Sequence, residues 1–337
     1  MKAYSCRVCG NALYFENSVC VSCGSNLGYS RDERDIVPVD AAGVYTDAGG
    51  LIWHVCRNLG LSGCTWLAPL QGGQCFACDL TRTRPADSDT KGLTRFPDAE
   101  RAKRHLVAEL DALGVPVTPK SVDPEGGLCF DMLSELPDGE QVLIGHDDGV
   151  ITINLAESDG AYRERMREQL AEPYRTMLGH LRHEVGHYYE WRLVDEASDR
   201  SIPDRARELF GDERADYQES LDRHYEQGPP ADWPDRFISA YATMHPYEDF
   251  AETWAHALHI SDTLETAVNY GLMDASEARR DSFRQVVSEV WIPASIALNM
   301  INRSMGESDL YPFVIPGSVL DKLEFVATLI AGAREAG

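Results

Sequence analysis

Three things are scarce in this sequence, and each scarcity narrows what the protein can do. Basic residues are the first: 31 lysines and arginines stand against 55 aspartates and glutamates, a formal net charge of −24. Such a surface repels phosphate backbones and favours solubility, so nucleic-acid binding is not expected, and the acidic excess reads as solvated helix faces. Long apolar runs are the second. No stretch approaches the roughly 20 apolar residues that a bilayer requires, and the opening MKAYSCRVCG lacks the apolar segment of a secretion signal. No membrane partner is expected, and the default compartment is cytoplasmic. The third is cysteine beyond the N-terminal quarter: eight of nine precede residue 79, leaving Cys129, which lies between Leu128 and Phe130 and reads as a small core residue. Internal repeats and low-complexity tracts are missing too. What is present is enough apolar material, 43 % of 337 residues, to bury a sizeable core in two domains.

The early cysteines are arranged for metal. Cys6-Arg-Val-Cys9 and Cys20-Val-Ser-Cys23 are two CxxC knuckles, each able to set two thiolates on one side of a tight turn, and together they are expected to close a four-thiolate zinc site, with a set of free thiols as the alternative. Gly10 and Gly24 follow the second cysteine of each knuckle, where backbone freedom helps the turn. Cys56, Cys64, Cys75 and Cys78 form a looser quartet, read as a second closed zinc site with a disulfide or free thiols as alternatives. In a chain without an export signal, metal is the expected use of clustered cysteine. Closed sites leave no coordination position open, so both zincs would be structural. After them DLTRTRPADSDTKG is polar and reads as a linker, placing the domain boundary near residue 95: a zinc-ribbon domain over 1–95 and a second domain over 96–337.

The second domain begins with helical periodicity from Pro97 to Leu113, stopped by Gly114. LCFDML and QVLIGHDDGVITINLA are β-prone, with a hairpin turn at Asp148-Gly149. The remainder is charged and helical, and Pro173 can sit in the first turn of the helix that carries HLRHEVGHYYEW. A small sheet followed by a helix-rich remainder is an α+β arrangement.

His183-Glu184-Val185-Gly186-His187 has the spacing of a zinc helix. Residues four apart on a helix lie within about 40° of each other around the axis, so both imidazoles can grip one ion. Glu184 can lean toward water in an open coordination position, take its proton and return it to a leaving amine. Two solvated histidines on a polar helix would spell the same pattern by accident. A third ligand cannot come from the extension HExxHxxGxxH, because positions 190 and 193 hold Glu and Leu. HPYEDFAETW offers one instead: Pro246 can start a helix on which Glu248 and Glu252 share a face. Glu248 is expected as ligand and Glu252 as the acceptor that orients an imidazole, with the swap or Asp249 as alternatives. Tyr241 can donate its hydroxyl to an oxyanion or be a half-buried aromatic. His245, Tyr247 and His180 are competing donors, and a structural or surface role is expected for His180.

The paired cysteine quartets, GHDDGVITINLAE, EPYRTMLGHLRHEVGHYYEWRLV, FGDERADYQESL and FISAYATMHPYEDFAETWAHALHISDTLETA together resemble a family of bacterial zinc-binding metallopeptidases with an N-terminal zinc ribbon. The resemblance covers nearly the whole chain. It implies a zincin-like domain of the glutamate-ligand group, with His183, His187 and Glu248 as zinc ligands, Glu184 as base, Tyr241 as oxyanion donor and Glu252 behind a ligand. The expected activity is a zinc-dependent hydrolase of peptide or peptide-like amide bonds acting on peptide or protein substrates, with the edge strand GVITINL taking an extended chain. The alternative is a binding module in which the ribbon recruits a protein partner and the zincin domain is a silent scaffold.

Overall fold

The computed structural model describes residues 1–134, 142, 144–159 and 176–336, so the expectations at Pro173 and for part of the QVLIGHDDGVITINLA hairpin lie outside the described residues. The chain divides into two compact units, residues 1–112 with 117–159, and residues 113–116 with 160–337.

In the first unit the two knuckles have the same local geometry. Gly10 donates its N–H to the Cys6 carbonyl and Gly24 to the Cys20 carbonyl, both at 2.8 Å, and both glycines are left-handed, at φ 77° and 74°. Strands β1 (Tyr4–Ser5) and β2 (Ala12–Leu13) flank the first knuckle; β3 (Leu27–Ser30) pairs with β4 (Asp35–Pro38), and β5 (Val44–Thr46), β6 (Ile52–Val55) and β7 (Leu67–Ala68) form a three-stranded meander. Such short strands bury little by themselves, and the aromatic rings of Phe15, Tyr29 and Trp66 supply the core, with neighbouring centroids 4.8 Å apart for Phe15–Tyr29 and Tyr29–Trp66.

Helix α1 runs over Thr90–Leu113, seven residues longer than periodicity from Pro97 suggests, with Pro97 inside it. Asp89 explains the earlier start: its carboxylate accepts the Gly92 N–H at 2.9 Å. The bond lost at Pro97 is offset by burial of Phe96, Ala99, Leu106 and Leu110. A four-stranded sheet follows, from β8 (Thr81–Thr83), β9 (Cys129–Leu133), β10 (Gly145–Asp147) and β11 (Val150–Asn154), in the order β10-β11-β9-β8. Asp148 and Gly149, at φ 45° and 77°, make the tight hairpin turn. The expectation that GVITINL forms a sheet edge is corrected: β11 pairs antiparallel with β10 on one side and parallel with β9 on the other, so both its backbone edges are occupied. Cys129 is buried.

The second unit is helical: α2 (Met177–Glu190), α3 (Ser201–Phe210), α4 (Tyr217–Gln227), α5 (Pro246–Asn269), α6 (Ile292–Ser304) and α7 (Gly317–Ala336). Thr176 caps α2 by accepting the Gly179 N–H at 2.9 Å, and a π-helical turn over Trp191–Asp195 follows it. Helix α2 packs on α5, and Gly186 makes the close approach possible: a Cβ there would lie 2.9 Å from Ala251 Cα. Tyr189 stacks on Trp254 beside this contact, centroids 4.8 Å apart. Among the described residues no helix is long and apolar enough to cross a membrane. The fold is α+β, a cysteine-rich N-terminal part followed by a mostly helical part with small sheets.

Candidate metal centre

Among the described residues, three groups of side chains are assembled for metal. In the first quartet the sulfurs of Cys6 and Cys23 are 3.8 Å apart and those of Cys9 and Cys20 3.6 Å; in the second, Cys56–Cys78 and Cys64–Cys75 are 3.7 and 3.5 Å apart. A tetrahedral ion with metal–sulfur bonds of about 2.3 Å sets its sulfurs about 3.8 Å from one another. No disulfide links any of the nine cysteines in this structure. Behind the second quartet, Glu100 Oε2 lies 4.0 Å from Cys78 Sγ, and Lys103 Nζ, fully buried, binds Glu100 Oε1 at 2.7 Å.

The third group unites α2 and α5. His183, His187 and Glu248 each offer a ligand atom, all within 4.8 Å of one another. One turn of α2 brings in both imidazoles, and Pro246 starts α5 so that Glu248 falls in its first turn. Glu248 Oε2 lies 3.0 Å from His183 Nε2 and 3.6 Å from His187 Nε2. His183 Nδ1 is 2.9 Å from Glu252 Oε1, and Glu252 Oε2 accepts the Ser239 hydroxyl at 2.7 Å. With Nδ1 donating to Glu252, the Nε2 lone pair points at Glu248, and something positive must stand between them. A proton can serve one imidazole; a divalent ion serves His183, His187 and Glu248 at once. The donor set, two nitrogens and one oxygen, suits zinc.

Electrostatics follow this geometry. Burial alone would pull the His183 imidazole down, but Glu248 and Glu252 push it well above its ordinary value. Burial likewise opposes ionisation of Glu248, yet the charges and hydrogen bonds of His187 and His183 hold it well below the usual carboxylate range. Glu184, only 5 % exposed, stays below the ordinary value against the cost of burial because His180 Nε2 is 3.1 Å from its Oε1. Its other oxygen, Oε2, is buried with no hydrogen-bond partner among the described residues. A buried carboxylate oxygen held unpaired beside a ligand set fits a group that receives a proton from a bound molecule.

The other expected residues fall as follows. Asp249 points away from the histidines, its Oδ2 on Lys322 Nζ at 2.5 Å. His245 is spent on structure: Nδ1 accepts the Tyr247 N–H at 3.2 Å as the cap of α5, and Nε2 donates to the Ala215 carbonyl at 3.1 Å. Tyr241 opens a 3₁₀ turn just before α5, its ring centroid 5.8 Å from that of His183. His180, for which a structural or surface role is expected, lies against Glu184, its Nε2 3.1 Å from Oε1. Tyr217 was missed altogether. Its hydroxyl donates to Glu248 Oε1 at 2.8 Å, and burial and the Glu248 charge push its pKa upward. The only local signal was Asp216 three residues before Glu219, which starts a helix at Tyr217 but says nothing of Glu248.

A cysteine ribbon followed by a helical domain with a two-histidine, one-glutamate cluster defines a class of zinc proteins, and comparison places the chain within it. Residues 92–329 match the family described as "Putative zinc-binding metallo-peptidase", and residues 3–89 match a zinc-ribbon domain. The chain belongs to that metallopeptidase family. Uncharacterised proteins of Mycobacterium tuberculosis and Mycobacterium bovis are each 48 % identical over 338 residues, spanning 98 % of this chain and 95 % of theirs. No solved structure matches the chain closely enough to count as a relative.

Proposed function

We propose that the chain is a zinc-dependent hydrolase of peptide or peptide-like amide bonds, with a zincin-like centre at His183, His187 and Glu248. One observation carries the reading: these three donors converge within 4.8 Å while Glu184 keeps beside them a buried oxygen with no partner among the described residues. Zinc held there would polarise a substrate carbonyl and acidify a water. Glu184 is the general base: its Oε1 is fixed by His180, and its Oε2 takes a proton from the attacking water and hands it to the leaving nitrogen. Glu252 fixes the His183 tautomer, and Tyr241 is the donor toward the oxyanion. The two cysteine quartets hold structural zincs, giving three ions in all. The working division is a ribbon over 1–95 and a peptidase domain over 96–337, with a peptide or protein substrate, a cytoplasmic location, and a protein partner for the ribbon.

The test is Glu184→Gln in the fully zinc-loaded chain, assayed against a peptide and isopeptide library. The variant is expected to keep its zinc and lose turnover. Turnover equal to wild type would remove Glu184 as base, and a loaded wild type without turnover would favour the silent scaffold.

A further inference from the structure

Glu248 has two oxygens, and the fold gives them different work. Oε2 faces both imidazoles, at 3.0 Å from His183 Nε2 and 3.6 Å from His187 Nε2. Oε1 accepts the Tyr217 hydroxyl at 2.8 Å. Tyr217 comes from a different helix, at the first position of α4, where Asp216 caps by accepting the Glu219 N–H at 2.8 Å. Its ring rests edge-on against His245, centroids 5.2 Å apart, and His245 is the cap of the helix that carries Glu248. The phenol is therefore held from two sides. It is also unusual in its exposure: Tyr217 is 42 % exposed while the carboxylate it touches is 3 % exposed. The hydroxyl reaches a buried ligand from the rim of the site.

We infer that Tyr217 is a positioning residue that makes Glu248 a one-oxygen ligand. A carboxylate can bind a metal through one oxygen or both, and binding through both consumes the position that water or a substrate carbonyl needs. A hydrogen bond to an ionised acceptor is among the stronger ones, and here it commits Oε1 to the phenol while Oε2 remains for metal. Without the hydroxyl, rotation about the terminal torsion of Glu248 can swing Oε1 inward. The inference rests on the metal reading of His183, His187 and Glu248, and its test separates the two.

The experiment uses the full chain with zinc left in the cysteine sites. A chelator removes metal from the three-ligand site, which exchanges faster than closed four-thiolate sites, and cobalt(II) is added back. Visible absorption that wild type shows and His187→Ala lacks belongs to this site. In wild type it should have the strong bands of four-coordinate cobalt. In Tyr217→Phe, which keeps the ring and its contact with His245, it should weaken to a five-coordinate spectrum. kcat of the zinc form should fall on the order of 10- to 100-fold, with KM changed less, as for other groups that orient a metal ligand. An unchanged cobalt spectrum in Tyr217→Phe overturns the inference alone. No His187-dependent cobalt uptake in wild type overturns the metal reading beneath it.

Discussion

Substituting alanine for Gly186, in the middle of the zinc motif, pits two effects against each other. Intrinsic helix propensity favours the change, by about 1 kcal/mol for glycine to alanine inside a helix. Packing opposes it, because the new Cβ would meet Ala251 Cα at 2.9 Å, the Ala251 carbonyl oxygen at 3.1 Å and Trp254 Cβ at 3.2 Å. Two of these neighbours are backbone of α5 and cannot rotate away. Relaxing 2.9 Å to the usual carbon–carbon separation of about 3.5 to 4.0 Å needs a shift of about 0.6 to 1.1 Å between α2 and α5. Overpacking of that kind costs about 1 to 3 kcal/mol, so the net effect on stability is small to moderate loss. The metal site should suffer more, because His183 and His187 ride on α2 and Glu248 on α5. Disturbing the packing that orients metal ligands costs about 10- to 100-fold in metal affinity. Gly186→Ala should therefore lose zinc from the His183 site at lower chelator concentration, by about one to two decades, while the cysteine-held zincs stay. A chelator titration with metal analysis reads this directly. Unchanged zinc affinity together with a raised melting temperature would show that propensity wins and that the close approach is not what holds the site.

Two further outcomes follow from buried charge. Lys103→Met removes the buried ammonium bound to Glu100 at 2.7 Å and leaves a carboxylate uncompensated beside the second cysteine quartet, a loss of about 3 to 5 kcal/mol. Denaturant unfolding of the zinc-loaded chain should show it, and Lys103→Met with Glu100→Gln should recover most of it; a single-variant loss below about 1 kcal/mol would count against the pairing. Glu190, whose buried Oε2 has no hydrogen-bond partner among the described residues, is pushed well above the ordinary range by burial and by Asp195, Glu248, Glu213 and Asp249. Because its folded value is the higher one, its contribution to stability is complete below the unfolded value near 4.3 and is lost as pH rises toward the folded value. Glu190→Gln should thus be more stable than the parent at pH 8, with the gap closing toward pH 4, and a gap independent of pH would refute the assignment.

What the sequence made legible was local. Each cysteine knuckle is a turn of four residues followed by glycine, and the histidine pair is a single helical turn, so composition and spacing suffice for both. The Asp148-Gly149 turn is equally local, since two successive positive φ values demand those residue types. Pro246 announced the helix that carries Glu248 and Glu252, but their spacing is symmetrical with respect to ligand and orienting roles. Only the packing of α2 on α5 sets Glu248 toward Nε2 and Glu252 toward Nδ1 of His183. Tyr217 was illegible because its partner lies 31 residues away on another helix. GVITINL was misjudged as an edge because its parallel partner, β9, is separated from it by a long connection that no local pattern reveals.

Strand β8 has a practical bearing on how the molecule can be cut. Thr81 and Thr83 lie on the ribbon side of the two family matches, yet they register with Phe130 and Asp131 on the peptidase side, and Phe130 donates its N–H to the Leu80 carbonyl at 2.7 Å. A fragment begun at residue 92 would strip one flank of Cys129–Leu133 and offer an apolar, unpaired ladder to other molecules, an invitation to aggregate. The two sequence modules share a hydrogen-bonded sheet, so the boundary between the family matches is a poor place for a scissors cut.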